Sequence, residues 1–151
     1  MYQKILVPLD GSKLAECALS HVKNLVKDGA VGEVTLLNVV KVYVPGGLGE
    51  SSGIFDINAV RENLFMESRK YLADVESQLA SEGIHVKTES LEGNRPADAI
   101  SDYAQKNGVD MIVIATHGYT GLKKLMFGSV ALKVLHDSHV PVLLIRPGSG
   151  R

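Results

Sequence analysis

Lys4-Ile5-Leu6-Val7-Pro8-Leu9-Asp10-Gly11-Ser12 opens the chain with a continuous apolar run that stops at a carboxylate and two small residues. A short run rich in branched aliphatic residues and bounded by turn residues suits a strand buried on both faces. The same signature recurs at Glu33 to Val40, Asp110 to Ala115 and Val140 to Ile145. Ile84 to Leu91 alternates instead, with Ile84, Val86 and Thr88 on one side and His85, Lys87 and Glu89 on the other, as an outer strand does. Helical periods lie between the runs. Ala15, Ala18, Leu19, Val22, Leu25 and Val26 form one stripe, and Val60, Leu64, Leu72, Val75 and Leu79 another on a longer segment. A third helix is predicted from Pro96 to Gly108, since proline favours a helix start and glycine a helix end. A fourth runs from about Gly128 to His136.

Strand and helix thus alternate and a fifth strand closes the series, which predicts βαβ units and a parallel sheet covered by helices on both faces. The fold class is a doubly wound α/β domain. Only 41–58 breaks the rhythm, and its Pro45, Gly46, Gly47, Gly49 and Gly53 predict a mobile loop inside a single domain spanning 1–151.

Composition agrees with one ordinary globular core: 151 residues, 45% hydrophobic and 22% charged. Sixteen Lys+Arg against 17 Asp+Glu leave a net charge of -1, so no global field draws the chain to nucleic acid or anionic lipid, and neither is expected as a partner. Cys17 is the single cysteine, which predicts a reducing compartment and a small buried hydrophobe on the first helix. The opening apolar run is too short for a signal peptide or a membrane span, so the expected location is cytoplasmic.

In doubly wound sheets ligands bind outside the carboxyl ends of strands where the winding reverses, so the residues after strands one and four matter most. After the first, Asp10 is an acceptor suited to a ribose hydroxyl or a magnesium ion, or else it or Ser12 caps the following helix. After the fourth comes Ala115-Thr116-His117-Gly118, then nine residues containing Lys123 and Lys124, then Gly128-Ser129 at a helix start. Glycines at such a turn expose backbone N–H groups, and the helix dipole favours an anion, phosphate being the obvious one. The alternatives are turn glycines, an N-cap at Ser129 and a solvated pair of lysines. No Walker sequence is present. No catalytic set is assigned, because no carboxylate in the sequence is tied to His117. His136 and His139 lie near a helix end, where contact with the dipole explains them more simply than a metal, and no metal cage is assigned.

From Tyr2-Gln3-Lys4-Ile5-Leu6-Val7-Pro8 to Pro141-Val142-Leu143-Leu144-Ile145 the sequence resembles the universal stress protein family. Members that bind ATP carry G-x-x-G, nine residues, then G-[ST]; here Ala115 replaces the first glycine, and Gly118, Gly128 and Ser129 match. The resemblance implies a five-stranded sheet of order 3-2-1-4-5 and binding of ATP, or of AMP or ADP, with magnesium as a companion ion through Asp10. It implies that Asp10 holds the ribose, that Pro8, Val39 and Ile114 line the adenine slot, and that Gly118, Gly128, Ser129 and Val130 face the phosphates. Leu9, Ala115 and His117 complete the expected nucleotide-binding set. The apolar run Val140 to Ile145 falls at a sheet edge in that order, and an uncharged edge invites pairing, so a homodimer through the fifth strand is expected. The function implied is a nucleotide-responsive regulatory module of the stress response that alters contacts with a protein partner. A slow ATPase or self-phosphorylating enzyme is the alternative, and a nucleotide-free dimeric interaction protein the third.

Overall fold

A computed structural model describes residues 1–43, 56–117 and 128–148. In chain order the elements are β1 Tyr2–Pro8, a 3-10 turn Ala15–Cys17, α1 Ala18–Lys27, β2 Val31–Val40, α2 Ile57–Ser81, β3 Lys87–Glu92, α3 Pro96–Lys106, β4 Met111–Ala115, α4 Ser129–Asp137 and β5 Val142–Ile145. The five strands form one sheet of order β3-β2-β1-β4-β5. Every neighbouring pair is parallel, with Val7 opposite Leu36, Leu6 opposite Ile112 and Ala115 opposite Ile145. Winding reverses between β1 and β4, so their following connections depart in opposite directions and leave a crevice at the carboxyl ends.

The continuous apolar runs have a direct cause: alternate residues feed two separate cores. On one face Ile5, Val7, Leu36 and Val113 pack against Ala18 and Val22 of α1 and Leu72, Val75 and Leu79 of α2. On the other, Leu6, Leu37, Ile112 and Ile114 pack against Ile100 and Ala104 of α3 and Ala131 and Val134 of α4. Leu6, Leu36, Leu37 and Ile112 are wholly buried, each contributing about 1.5 to 3 kcal/mol of hydrophobic stabilisation.

Most element ends shift by one to three residues from the sequence expectation, β1 beginning at Tyr2 and β2 at Val31, and several differences have a local reason. The α2 stripe is buried only from Leu72 onward, with Val60 and Leu64 half-buried. Ile84 and Val86 keep the predicted alternation but precede the ladder. Ile84 instead closes α2: its N–H donates to the Leu79 carbonyl at 3.0 Å while Gly83 takes φ +81°, which only glycine adopts without strain. β5 begins at Val142, because Pro141 has no N–H and Val140 is held in a local turn by the Ser138 hydroxyl at 3.1 Å. The predicted loop over 41–58 yields its last two residues to α2, which is capped by the Asp56 carboxylate accepting from the N–H groups of Asn58 and Ala59. Most of that segment, with its glycines, lies outside the described residues.

Candidate functional site

At the winding reversal a cavity of about 270 Å³ opens on the α3 and α4 side of the sheet. It lies close to the smaller end of small-molecule sites, roughly 300 to 1,000 Å³. Pro8, Leu9 and Asp10 enter it from the end of β1, Val39 from β2, and Ile114, Ala115 and His117 from the end of β4. Gly128, Ser129 and Val130 close it from the start of α4. Ten of the eleven residues singled out from sequence therefore share one cavity wall, and Gly118 lies outside the described residues together with Lys123 and Lys124. Pro96 and Ile100 of α3, Leu37, Thr116, Ala15 and Ala131 also line it, and sequence reasoning did not single these out. Pro96 carried a signal, as the first residue of a helix, but nothing in the sequence tied that helix start to the ends of β1 and β4.

The turn after β1 is built around its carboxylate. Asp10 Oδ1 accepts from the Ser12 N–H at 2.9 Å and from the Ser12 hydroxyl at 2.5 Å. Ser12 Oγ in turn accepts from the Ala15 N–H at 3.1 Å, so Ser12 caps the 3-10 turn and Asp10 orients the cap. Gly11 between them has φ +90°, and a side chain there would be strained. Capping and a place in the cavity wall are thus compatible roles for one segment.

The turn after β4 is pinned by main chain. The Thr116 N–H donates to the Ile145 carbonyl at 2.8 Å, and the Thr116 carbonyl accepts from the Gly128 N–H at 2.5 Å. Thr116 Oγ1 and His117 Nδ1 are 2.8 Å apart. Gly128 is the N-cap of α4, with φ -61° and ψ 145°, and Ser129 is the first helical residue, so the glycine takes the capping position that Ser129 was a candidate for. Because the Gly128 amide is engaged by Thr116, the donors that the helix start directs outward are those of Ser129, Val130 and Ala131. The first turn of α4 carries no acidic residue, whereas that of α3 carries Asp98. The positive end of the α4 dipole is therefore left uncompensated by its own side chains, which suits an anion.

Ala115 ends β4 in extended backbone, paired with Ile145 and buried. The position makes no demand for positive φ, so the methyl that replaces the first motif glycine is conformationally ordinary. It adds one apolar carbon to the wall.

Behind the β1 turn, Tyr71 of α2 donates its hydroxyl to Glu16 Oε2 at 3.2 Å. Burial, then the Glu16 carboxylate, push the phenol above its ordinary range and keep it a donor. Burial likewise raises the Cys17 thiol, which ends the 3-10 turn half-buried against the core rather than fully buried on the first helix as expected. His136 Nδ1 lies 2.7 Å from Asp137 Oδ1, so a neighbouring carboxylate joins the helix end as its partner. Among the described residues no three His, Cys, Asp or Glu side chains converge to hold a metal.

A doubly wound domain with an apolar slot, a carboxylate and an open helix start at its switch point defines a class of small-ligand α/β proteins. The sequence profile of the universal stress protein family matches residues 1–146, and the chain belongs to that family. Universal stress protein MJ0531 of Methanocaldococcus jannaschii is 36% identical over 146 residues, covering 97% of this chain and 83% of that protein. The solved structure of MJ0577, from the same organism, matches with a TM-score of 0.81 at 34% identity and covers 99% of both chains. A family protein from Arabidopsis thaliana, solved with AMP bound, has a TM-score of 0.67 and covers 97% of this chain and 93% of that one. At 17% identity it speaks for the fold alone. Among the described residues no helix is long and apolar enough to cross a membrane.

Proposed function

We propose that this universal stress protein is a regulatory module that binds ATP, or ADP or AMP, in the switch-point cavity and passes the bound state to a protein partner. The observation that carries the reading is the convergence of Pro8, Asp10, Val39, Ile114 and the α4 start on one cavity. Val39 and Ile114 belong to the apolar surface on that side and suit the faces of an adenine ring. Asp10 is the carboxylate of the described wall and suits a vicinal diol, or a magnesium ion shared with phosphate oxygens. Ser129 and Val130 amides with the Ser129 hydroxyl suit the phosphates. On this reading the protein works by binding, and phosphate release from ATP is far slower than about 1 s⁻¹.

Calorimetric titration with ATP and magnesium is expected to show saturable heat and a raised melting temperature, since a ligand selective for the folded state stabilises it. Gly128→Val is expected to stay folded, because its backbone angles suit any residue, and to lose binding. No heat and no thermal shift up to millimolar ATP would reject the reading.

The cytoplasm is the proposed location, and a homodimer the proposed assembly, formed through the antiparallel pairing of β5 with its own copy. β5 is an outer strand, and Leu143 stands 36% exposed on it while Leu144 packs toward the core, so Leu143 is the side chain offered to a second chain. Sedimentation at micromolar concentration is expected to report a dimer that Leu143→Lys converts to monomer.

A further inference from the structure

A chain of side-chain hydrogen bonds runs from the far side of the sheet to the β1 turn. The Ser68 hydroxyl of α2 donates to Asn38 Oδ1 at 2.6 Å, and Asn38 Nδ2 donates to the Leu9 carbonyl at 2.8 Å. Ser68 Oγ and Ser90 Oγ of β3 are 2.7 Å apart. A hydroxyl carries one proton, and that of Ser68 is spent on Asn38, so Ser90 is the donor in this last contact. The direction of the whole chain is thereby fixed from Ser90 through Ser68 and Asn38 to Leu9. The carbonyl of Leu9 is acceptor-only, which also fixes the Asn38 amide in one orientation.

These contacts link three elements, β3, α2 and β2, to the turn after β1 and end one residue before Asp10. The Leu9 N–H donates to the Leu37 carbonyl at 2.8 Å, so Leu9 is held at both ends of its residue. Past it the chain turns through Gly11, and the Ser12 N–H and hydroxyl both donate to the Asp10 carboxylate. A rotation of the Leu9 peptide would carry Asp10 with it. Ser68, the centre of the chain, is 6% exposed, and Asn38 and Ser90 are half-buried, so the bonds are partly shielded from water and link α2 to the β1 turn. From the same helix, Tyr71 stands three residues further on and reaches Glu16 just beyond the turn. Helix α2 thus grips the β1 turn on both sides of Asp10.

We propose that Ser68 and Asn38 are positioning residues for sugar recognition: acting through the Leu9 carbonyl, they set the angle at which Asp10 faces the cavity. The proposal rests on the nucleotide reading above for its ligand, and on the hydrogen-bond chain for its geometry. A site built to bond a hydroxyl discriminates strongly against the analogue lacking it, and that discrimination is what misplacement of Asp10 erodes.

The test compares ATP with 2′-deoxy-ATP and 3′-deoxy-ATP on purified full-length protein. The unaltered protein is expected to prefer ATP by about tenfold or more over at least one analogue, the scale of one hydrogen bond to a charged group. Ser68→Val removes the hydroxyl at nearly constant shape with Ser68→Thr, which retains it. The valine variant is expected to lose most of that preference while binding the less favoured analogue as before, and the threonine variant to recover it. Asn38→Asp, which turns the donor facing Leu9 into an acceptor, is expected to behave like Ser68→Val. Should Ser68→Val fail to fold, Asn38→Asp, on a half-buried site next to Leu9, replaces it. Amide hydrogen exchange supplies a readout free of ligand: the Ser12 N–H, bonded to Asp10, is expected to exchange about tenfold faster in Ser68→Val than in Ser68→Thr. Equal sugar preference and equal Ser12 exchange in the two variants would overturn the proposal. If the unaltered protein binds no nucleotide, the functional reading fails by itself, and Ser12 exchange then decides whether the link positions Asp10.

Discussion

Asp10 and Asp110 look alike in sequence, each an aspartate beside a buried apolar run, and the fold gives them opposite employment. Asp110 stands at the amino end of β4, where its Oδ2 accepts from the N–H groups of Gln3 and Lys4, both at 2.8 Å. Its own N–H donates to the Lys4 carbonyl at 2.8 Å, so one residue fastens the start of β4 to the start of β1. Asp10 stands at the carboxyl end, bonds to Ser12 two residues away and lines the cavity. The amino end satisfies its polar groups across elements and becomes a fastening. At the carboxyl end Asp10 bonds to its own turn through Ser12 and borders a concave surface between β1 and β4. Parallel topology explains the contrast, since crossovers must splay where the winding reverses and only at the carboxyl ends does that splay open a crevice.

Replacing each aspartate in turn is the strongest way to break this contrast. Asp110→Ala removes two charge-assisted bonds at a half-buried site and is expected to cost about 2 kcal/mol of stability in urea unfolding, with ATP affinity unchanged within about twofold. Asp10→Ala is expected to cost about 1 kcal/mol, the scale of a lost cap, and to weaken ATP binding by about tenfold or more. Stability and affinity falling together in both variants would erase the distinction between the two ends.

A finer version uses glycine. Gly11 at the carboxyl end and Gly83 at the amino end both have positive φ, at +90° and +81°. Alanine at either position is expected to cost about 1 kcal/mol through backbone strain alone. Only Gly11→Ala should also lower ATP affinity, because only that turn carries a cavity residue. Equal affinities in the two variants, measured by the same titration, would show that the turn tolerates displacement.

The same asymmetry sets how much could be read from sequence. Strand runs were legible because a strand buried on both faces leaves a continuous apolar record, as at Ile5 to Val7 and Met111 to Ile114. Cavity residues on β1, β4 and α4 were legible because switch-point residues follow strands directly and carry turn chemistry. Ile100, Ala131 and Leu37 were not, since a residue that lines a cavity while belonging to the apolar core leaves the same record as any core residue. The Asn38, Ser68 and Ser90 link left no record either. Its members are separated by 30 and 22 residues, each sits inside a regular element, and only register and helix docking bring them together. Asp110 was read as the edge of a strand, because a carboxylate that bonds main chain 107 residues away has no local signature.

The smallest expected effect concerns the charges of the amino end. Hydrogen bonding from Lys87 holds the Glu33 carboxyl below its ordinary range, Lys23 does the same for Glu82, and His136 with Lys133 for Asp137. A carboxyl whose folded pKa lies below its unfolded value contributes stability that is present above the unfolded value and lost as pH falls through the folded one. Lys87 and Lys133 are raised by Glu33 and Asp137, so their contribution holds below the ordinary lysine value and is lost as pH rises through the folded one. Stability is therefore expected to be flat across neutral pH, to decline below about pH 4 and again above about pH 10. Each pair keeps at least one partner exposed to solvent, so the slopes are shallow and shrink in salt. Lys87→Met is expected to flatten the acid limb slightly, because Glu33 then titrates nearer its unfolded value, and to leave ATP affinity at neutral pH unaltered. Denaturant midpoints at pH 3 and pH 7, at low and high ionic strength, read both limbs of the argument. An acid limb unchanged by Lys87→Met and by salt would move its origin away from the amino-end pairs.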